Sequence, residues 1–318
     1  MAGGGLPRRP RLTRPGPGNT GPVPAQQRPA CVPAARSGGW RVVRPARGRA
    51  GESARDAAAG ARYDTIGKGY GRYRQPDPRI GALIESALGD ADTVVDVGSG
   101  AGSYEPRHHR VVAVEPSWTM IAQRAPAAAP VVRAVAERLP FADKRFDAAL
   151  AILTIHHWSD PEAGLAEMAR VSDLQLILTW DADVYSRFWL VEEYLPEILQ
   201  AEVDLPTLPY VTTRLTVREI LVVPVPWDCT DGFCAAYWRR PEMYLDAGVR
   251  GAISGIARCD HDIVRRAMTR LEHDLHDGTW DRRHRRLGER DEADWGYRLV
   301  VAMGSRGTLR KPRQARIG

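Results

Sequence analysis

Asp96 is followed closely by Gly98, Ser99, Gly100 and Gly102, and Glu115 comes 19 residues after Asp96. Glycine removes the Cβ atoms that hold a ligand away from the backbone, so the run at 98–102 implies close approach to something bound. A dinucleotide is the first candidate. A GxGxxG fingerprint would place its third glycine at Ser103, however, and a carboxylate at Asp96 repels a pyrophosphate aimed at the same space. A ligand end carrying an ammonium group suits Asp96 better. Glu115, at the end of a second strand, can accept hydrogen bonds from both hydroxyls of a ribose. The ligand should therefore have an amino-acid end and a nucleoside end, and S-adenosylmethionine has both.

Other side chains invite chemistry with less insistence. His156, His157 and Trp158 follow a predicted strand, at the sheet edge where substrates bind. His157 is a candidate general base near neutral pH, with packing beside the cofactor as the competing role. Tyr70, Tyr73 and Arg74 precede the first strand, where a helix can close over a sulfonium and Arg74 can reach a carboxylate. Cys229, Cys234, Cys259 and His261 add up to four zinc ligands, but their spacing matches no standard knuckle. Buried thiols are the commoner outcome, and no metal is expected.

These groups need a frame to hold them. Residues 93–97 form a β-branched run that reads as a buried strand feeding the glycine turn. Further strands are expected at 111–114, 131–132, 147–153 and 174–178, with helices at 80–88, from a Ser117 cap to 124, and at 161–170. Strands and helices alternating at this spacing imply a parallel, doubly wound sheet. Beyond Trp180 the pattern loosens into an amphipathic helix at 189–202, a strand at 219–225, a helix at 264–276 and a last strand at 296–301.

The segments 95–102 (VDVGSGAG), 114–117 (VEPS) and 136–141 (AERLPF) with Phe146-Asp147 together resemble the class I S-adenosylmethionine-dependent methyltransferases, in particular a type 11-like small-molecule branch. The resemblance covers about residues 62–180. It implies an α/β Rossmann-like methyltransferase fold with a mostly parallel, seven-stranded sheet whose last strand is antiparallel. It also implies roles: Asp96 and the backbone of Gly98, Ser99, Gly100 and Gly102 hold the methionine end, and Glu115 holds the ribose. Pro116, Ser117 and Trp118 would neighbour the adenine, with Ala136 and Glu137 framing its edge. Two departures stand out: Val135 replaces an acidic residue that many relatives place before the Ala-Glu pair, and the first crossover helix is short and interrupted by Pro106.

Composition bounds what remains. The 318 residues carry a net charge of +6, but residues 1–60 hold eleven Arg against Glu52 and Asp56, and the body 61–303 sums to −8. A nucleic-acid-binding fold would gather basic charge on a folded face, so no nucleic-acid partner is expected. No apolar run approaches the ~18 residues of a membrane span, and no signal segment precedes the sparse cysteines, which favours a cytoplasmic protein. Residues 1–60, rich in Gly, Pro, Ala and Arg, read as a disordered tail and 304–318 as a basic one. Between them, 61–180 is the expected cofactor-binding half and 181–303 the acceptor-binding region, with Tyr210, Trp227, Phe233, Tyr237 and Trp238 candidate walls for an apolar small-molecule acceptor. A nicotinamide-dependent oxidoreductase, a non-catalytic S-adenosylmethionine-binding protein and a methyltransferase acting on RNA or protein are the rival readings, the last disfavoured by the acidic body.

Overall fold

The structure is a computed structural model that describes residues 70–303, together with a short antiparallel pairing of Val32–Pro33 with Trp40–Arg41 in a separate N-terminal unit. The rest of 1–60 and the tail 304–318, for which disorder and basic character were expected, lie outside the described residues.

The body is built on one sheet. Its strands are β1 (Thr93–Val97), β2 (Arg110–Val114), β3 (Val131–Val132), β4 (Phe146–Ile152), β5 (Ser172–Trp180), β6 (Thr216–Val222) and β7 (Tyr297–Met303), in the spatial order β3-β2-β1-β4-β5-β7-β6. β1 to β5 pair in parallel, and β7 runs antiparallel to both neighbours, with Leu299 opposite Leu178 and Leu221. The expected seven-stranded sheet with an antiparallel last strand is present. Strand order reverses between β1 and β4, where a parallel sheet leaves a crevice at its carboxyl edge. The glycine loop starts there.

Side chains alternate across a strand, so the apolar runs of β1, β4 and β5 serve two cores. Val94, Leu150, Leu176 and Leu178 join one, with Ile80, Ile84 and Leu88 of a helix at Pro78–Leu88. Val95, Val97, Ala149 and Ile177 join the other, with Leu165, Met168 and Val171 of a helix at Pro161–Val171. We call the helices α1 (Tyr70–Tyr73), α2 (Pro78–Leu88), α3 (Trp118–Ile121), α4 (Pro161–Val171) and α5 (His261–His276). Asp77, Asp160 and Asp260 cap α2, α4 and α5 through their side chains, and Ser117 caps α3 as its sequence position suggested.

Three elements depart from expectation for identifiable reasons. The helix at 189–202 breaks into a π-helical turn at Leu190–Tyr194 and a short helix at Glu197–Ala201, because Pro196 lacks the N–H that would continue the ladder. The strand at 219–225 ends at Val222: Pro224 removes a donor, and Val225–Pro226 leaves the sheet to pair with Glu292–Ala293. Between β1 and β2 the residues 98–109 form turns with no helix, in a stretch holding three glycines and Pro106. Among the described residues no helix is long and apolar enough to cross a membrane.

Candidate active site

The loop after β1 is shaped by backbone conformations that favour glycine. Gly98 has φ +75°, and a Cβ there would lie 2.1 Å from Oγ1 of Thr154, so any side chain would collide with the segment that follows β4. The N–H groups of Gly98 and Ser99 donate to the Val114 carbonyl at 2.9 and 3.1 Å, tying the loop to β2. Glu115, buried at the end of that strand, accepts from the Gly100 N–H and from the Ser117 N–H, each at 2.9 Å. Its carboxylate thus fixes the loop and the start of α3. A carboxylate offers about four acceptor sites, so two amide bonds do not exhaust it.

Asp96 is the unusual group. It is only 2% exposed, and its Oδ2 meets no hydrogen-bond partner among the described residues. Burial, then the neighbouring Glu105 and Glu115, push its carboxyl up to about 8, with Arg124 opposing. Arg124 is itself tied to Glu105 and donates to Oγ of Ser99 at 3.1 Å. A buried, unpartnered carboxyl is costly on its own and favourable next to a cation.

Three cavities share walls here. The first, about 620 Å³, is lined by Arg74, Asp96, Gly98, Glu115, Leu153 and His157 among others. A second, about 420 Å³, shares Gly98, Glu115, Thr154 and His157 with it and is closed by Pro116, Val135, Ala136, Glu137 and Trp158. The third, about 470 Å³, shares Arg74, Leu153 and His157 with the first and is walled by Trp180, Tyr185, Phe233 and Tyr297. Leu153, which touches the first and third, has φ +50°, a strained conformation for a branched side chain, held by its N–H to the Leu178 carbonyl at 3.0 Å.

One edge of the site is a strap that includes α1. Nε of Arg74 lies 2.5 Å from Oδ1 of Asp231, and the Tyr104 hydroxyl donates to Oδ2 of the same residue at 3.0 Å. The Gly232 N–H donates to the Tyr73 carbonyl at 2.8 Å, and a Cβ at Gly232 would lie 2.5 Å from that oxygen, so only glycine lets the chains meet. Asp77 completes the join by accepting from the Thr230 N–H at 3.2 Å.

A sequence profile for the methyltransferase domain family matches residues 95–173. The chain is 30% identical over 139 residues to an uncharacterised protein of Methanocaldococcus jannaschii, a match that spans 42% of the chain and 55% of that relative. It is also similar to a solved structure from Anabaena variabilis, described as a candidate methyltransferase from an antibiotic biosynthesis pathway. Identity there is 32%, the TM-score is 0.66, and the match covers 73% of this chain and 99% of that one. The chain belongs to the class I S-adenosylmethionine-dependent methyltransferases. The cofactor of that family is S-adenosylmethionine, and the orphaned Asp96 oxygen and the cradle that a Cβ at Gly98 would fill both fit it.

In this methyltransferase Asp96, Gly98, Ser99, Gly100 and Glu115 line the first cavity, and Pro116, Ala136 and Glu137 the second. His157 lines all three cavities. Three expected residues line none of these three. Gly102 closes the turn through its N–H to the Ser99 carbonyl, Ser117 is the α3 cap, and Trp118 is 60% exposed beneath the Arg133 guanidinium. Glu137 spends Oε1 on the Ser159 and Asp160 N–H groups and the Ser159 hydroxyl, closing the turn that leads into α4. Arg74, a candidate by its position before β1, lines the first and third cavities.

Of the five aromatic residues expected around an acceptor, Phe233 alone lines the third cavity. Trp238 is core, donating from its indole to the Val225 carbonyl, and Tyr237 is buried against Tyr244. Trp227 and Tyr210 carry Arg239 and Arg214 on their faces and line none of the three cavities. Trp180, Tyr185, Glu202 and Tyr297 take the expected places instead. A signal for two of them existed: Tyr297 opens the antiparallel β7 directly opposite Trp180 at the end of β5, which puts both at the carboxyl edge. Among the described residues Cys229, Cys234 and Cys259 do not converge with His261 on one point; the single cluster with metal-like spacing is His273, Asp274 and Asp277, on the surface. Burial pushes the Cys229 and Cys234 thiols up to about 12, so they stay protonated.

Proposed function

We propose that this protein methylates a small molecule seated in the aromatic-walled cavity. The observation that carries the reading is the shared wall: Arg74, Leu153 and His157 border both the glycine-loop cavity and the third one. S-adenosylmethionine, when bound, supplies a methyl group already activated as a sulfonium. The chain then contributes alignment, shielding from water and, for an acceptor that must lose a proton, a base. Asp96 would pair with the ammonium of the methionine end. Glu115 would accept from the ribose hydroxyls while still holding the Gly100 and Ser117 amides. His157, common to all three cavities, is one group within reach of an acceptor that must lose a proton. The Anabaena relative's description, a biosynthetic pathway for an antibiotic, supports an acceptor of small-molecule size.

Calorimetry tests the donor half of the reading: S-adenosylmethionine and S-adenosylhomocysteine should both bind, and NAD should give no heat. Transfer of label from methyl-labelled donor to a small molecule tests the rest. NAD binding without response to the methyl donor overturns the assignment, and donor binding without transfer to any acceptor reduces the protein to a binder.

A further inference from the structure

The third cavity has one carboxylate in its lining, Glu202, at the carboxyl end of the helix Glu197–Ala201. Both the side chain and the helix terminus are negative there. The rings of Trp180, Tyr185, Phe233 and Tyr297 complete the wall. A Cβ at Gly255, on the same wall, would lie 2.5 Å from Oε1 of Glu202, so the absence of a side chain gives the carboxylate its position. The other polar side chains of the lining include the imidazoles of His156 and His157, with no second carboxylate among them. Asp231 neutralises Arg74, while burial holds the Cys234 thiol and the Tyr185 and Tyr297 phenols in their uncharged forms. Arg258 is the cation that opposes the cost of burying Glu202, whose carboxyl burial pushes up to about 7.

We infer that the methyl acceptor is a primary or secondary amine whose nitrogen is held by the Glu202 carboxylate among the rings of Trp180, Tyr185, Phe233 and Tyr297. The inference rests on the assignment of this cavity to the acceptor. An amine enters as its ammonium ion, which a carboxylate and aromatic faces attract together, whereas a neutral alcohol gains no such attraction and an anion is repelled. An ammonium has no lone pair to donate. A Glu202 oxygen therefore takes one proton, the electrons of that N–H bond return to nitrogen, and burial favours the exchange because it disfavours both charged partners. The nitrogen lone pair forms the N–C bond as the S–C bond breaks, its electron pair remaining on sulfur. The product leaves as an N-methylammonium ion, and Glu202 returns its proton to solvent.

The test uses the full chain, methyl-labelled S-adenosylmethionine and three pools matched in shape: arylalkyl amines, the corresponding alcohols and phenols, and the corresponding thiols and carboxylates. Label should enter the amine pool. Glu202→Gln should lower kcat/KM for the labelled amine at least 100-fold while leaving affinity for S-adenosylhomocysteine within twofold. Gly255→Ala, which displaces the carboxylate without removing it, should raise KM more than it lowers kcat; if Glu202→Gln loses the nucleoside as well, this variant decides. Label confined to the other pools overturns the inference and leaves methylation of a small molecule standing, whereas label in no pool overturns both. Amine turnover by Glu202→Gln within tenfold of the parent, or an unchanged KM in Gly255→Ala, removes Glu202 from acceptor recognition.

Discussion

Asp96 carries a carboxyl raised from 3.8 to about 8 by burial and by Glu105 and Glu115. Between those values the folded protein holds a proton that the unfolded chain has released. The stability this contributes is complete below about pH 4 and is lost as pH rises through about 8. Thermal scans should therefore show the ligand-free protein weakening across that window, and Asp96→Asn should flatten the slope. A ligand ammonium beside Asp96 reverses the preference, so at pH 6.5 binding of S-adenosylmethionine should expel close to one proton, measured by calorimetry in buffers of different ionisation enthalpy. Asp96→Asn should expel none; equal release from both proteins would place the ammonium elsewhere. Glu115→Ala removes the acceptor of the Gly100 and Ser117 amides together with the proposed ribose partner. It should weaken donor binding by about 1.5–3 kcal/mol in calorimetry with the fold kept, and an unchanged Kd would mean that the nucleoside lies elsewhere. Asp96, Glu115 and the glycines could be read from sequence because they are close along the chain and chemically paired. Glu202 could not, since nothing near it in sequence says that it turns inward; its position depends on Gly255, 53 residues later.

The parallel strands up to β5 were legible because each is a short apolar run with its own turn signal, and a strand buried on both faces needs little else. The segments after Trp180 take their form from tertiary partners. Pro196 and Pro224 cut two patterns that hydrophobicity alone would have continued. The first crossover shows the same dependence: where a helix was expected, Tyr104 adopts φ +61° and joins Asp231, 127 residues away. Asp231 therefore anchors two elements that local sequence does not connect, and it is 1% exposed. Asp231→Ala leaves Arg74, 15% exposed in its side chain, and the Tyr104 hydroxyl without this acceptor. Removing one member of such a buried pair costs about 3–5 kcal/mol, which urea denaturation should register. The strap also borders the first and third cavities through Arg74, so donor affinity should fall in the same variant; stability loss below ~1 kcal/mol would show the pair to be dispensable.

On the scale of the whole chain, the basic pI belongs to the ends and the acidic charge to the body. We propose that the segment 1–60 contributes neither to the core nor to the site, because its Gly, Pro, Ala and Arg offer little apolar area. A protein starting near Ala61 carries a net charge of −3 and should match the full chain in Tm and donor affinity. A Tm lower by more than ~5 °C, over 1 kcal/mol for a domain this size, would show that the segment packs on the body.

The shared wall of Arg74, Leu153 and His157 has a kinetic consequence. Whatever fills the glycine-loop compartment also finishes one side of the neighbouring chamber, so the chamber is only half built until the nucleoside arrives. Turnover should then follow a compulsory sequence, nucleoside first in and last out. S-adenosylhomocysteine would compete with the donor and inhibit noncompetitively against the acceptor; a random-order pattern would show that the chamber is complete on its own. Under a compulsory sequence the acceptor is not held by the ligand-free protein, so no acceptor is trapped there ahead of the nucleoside.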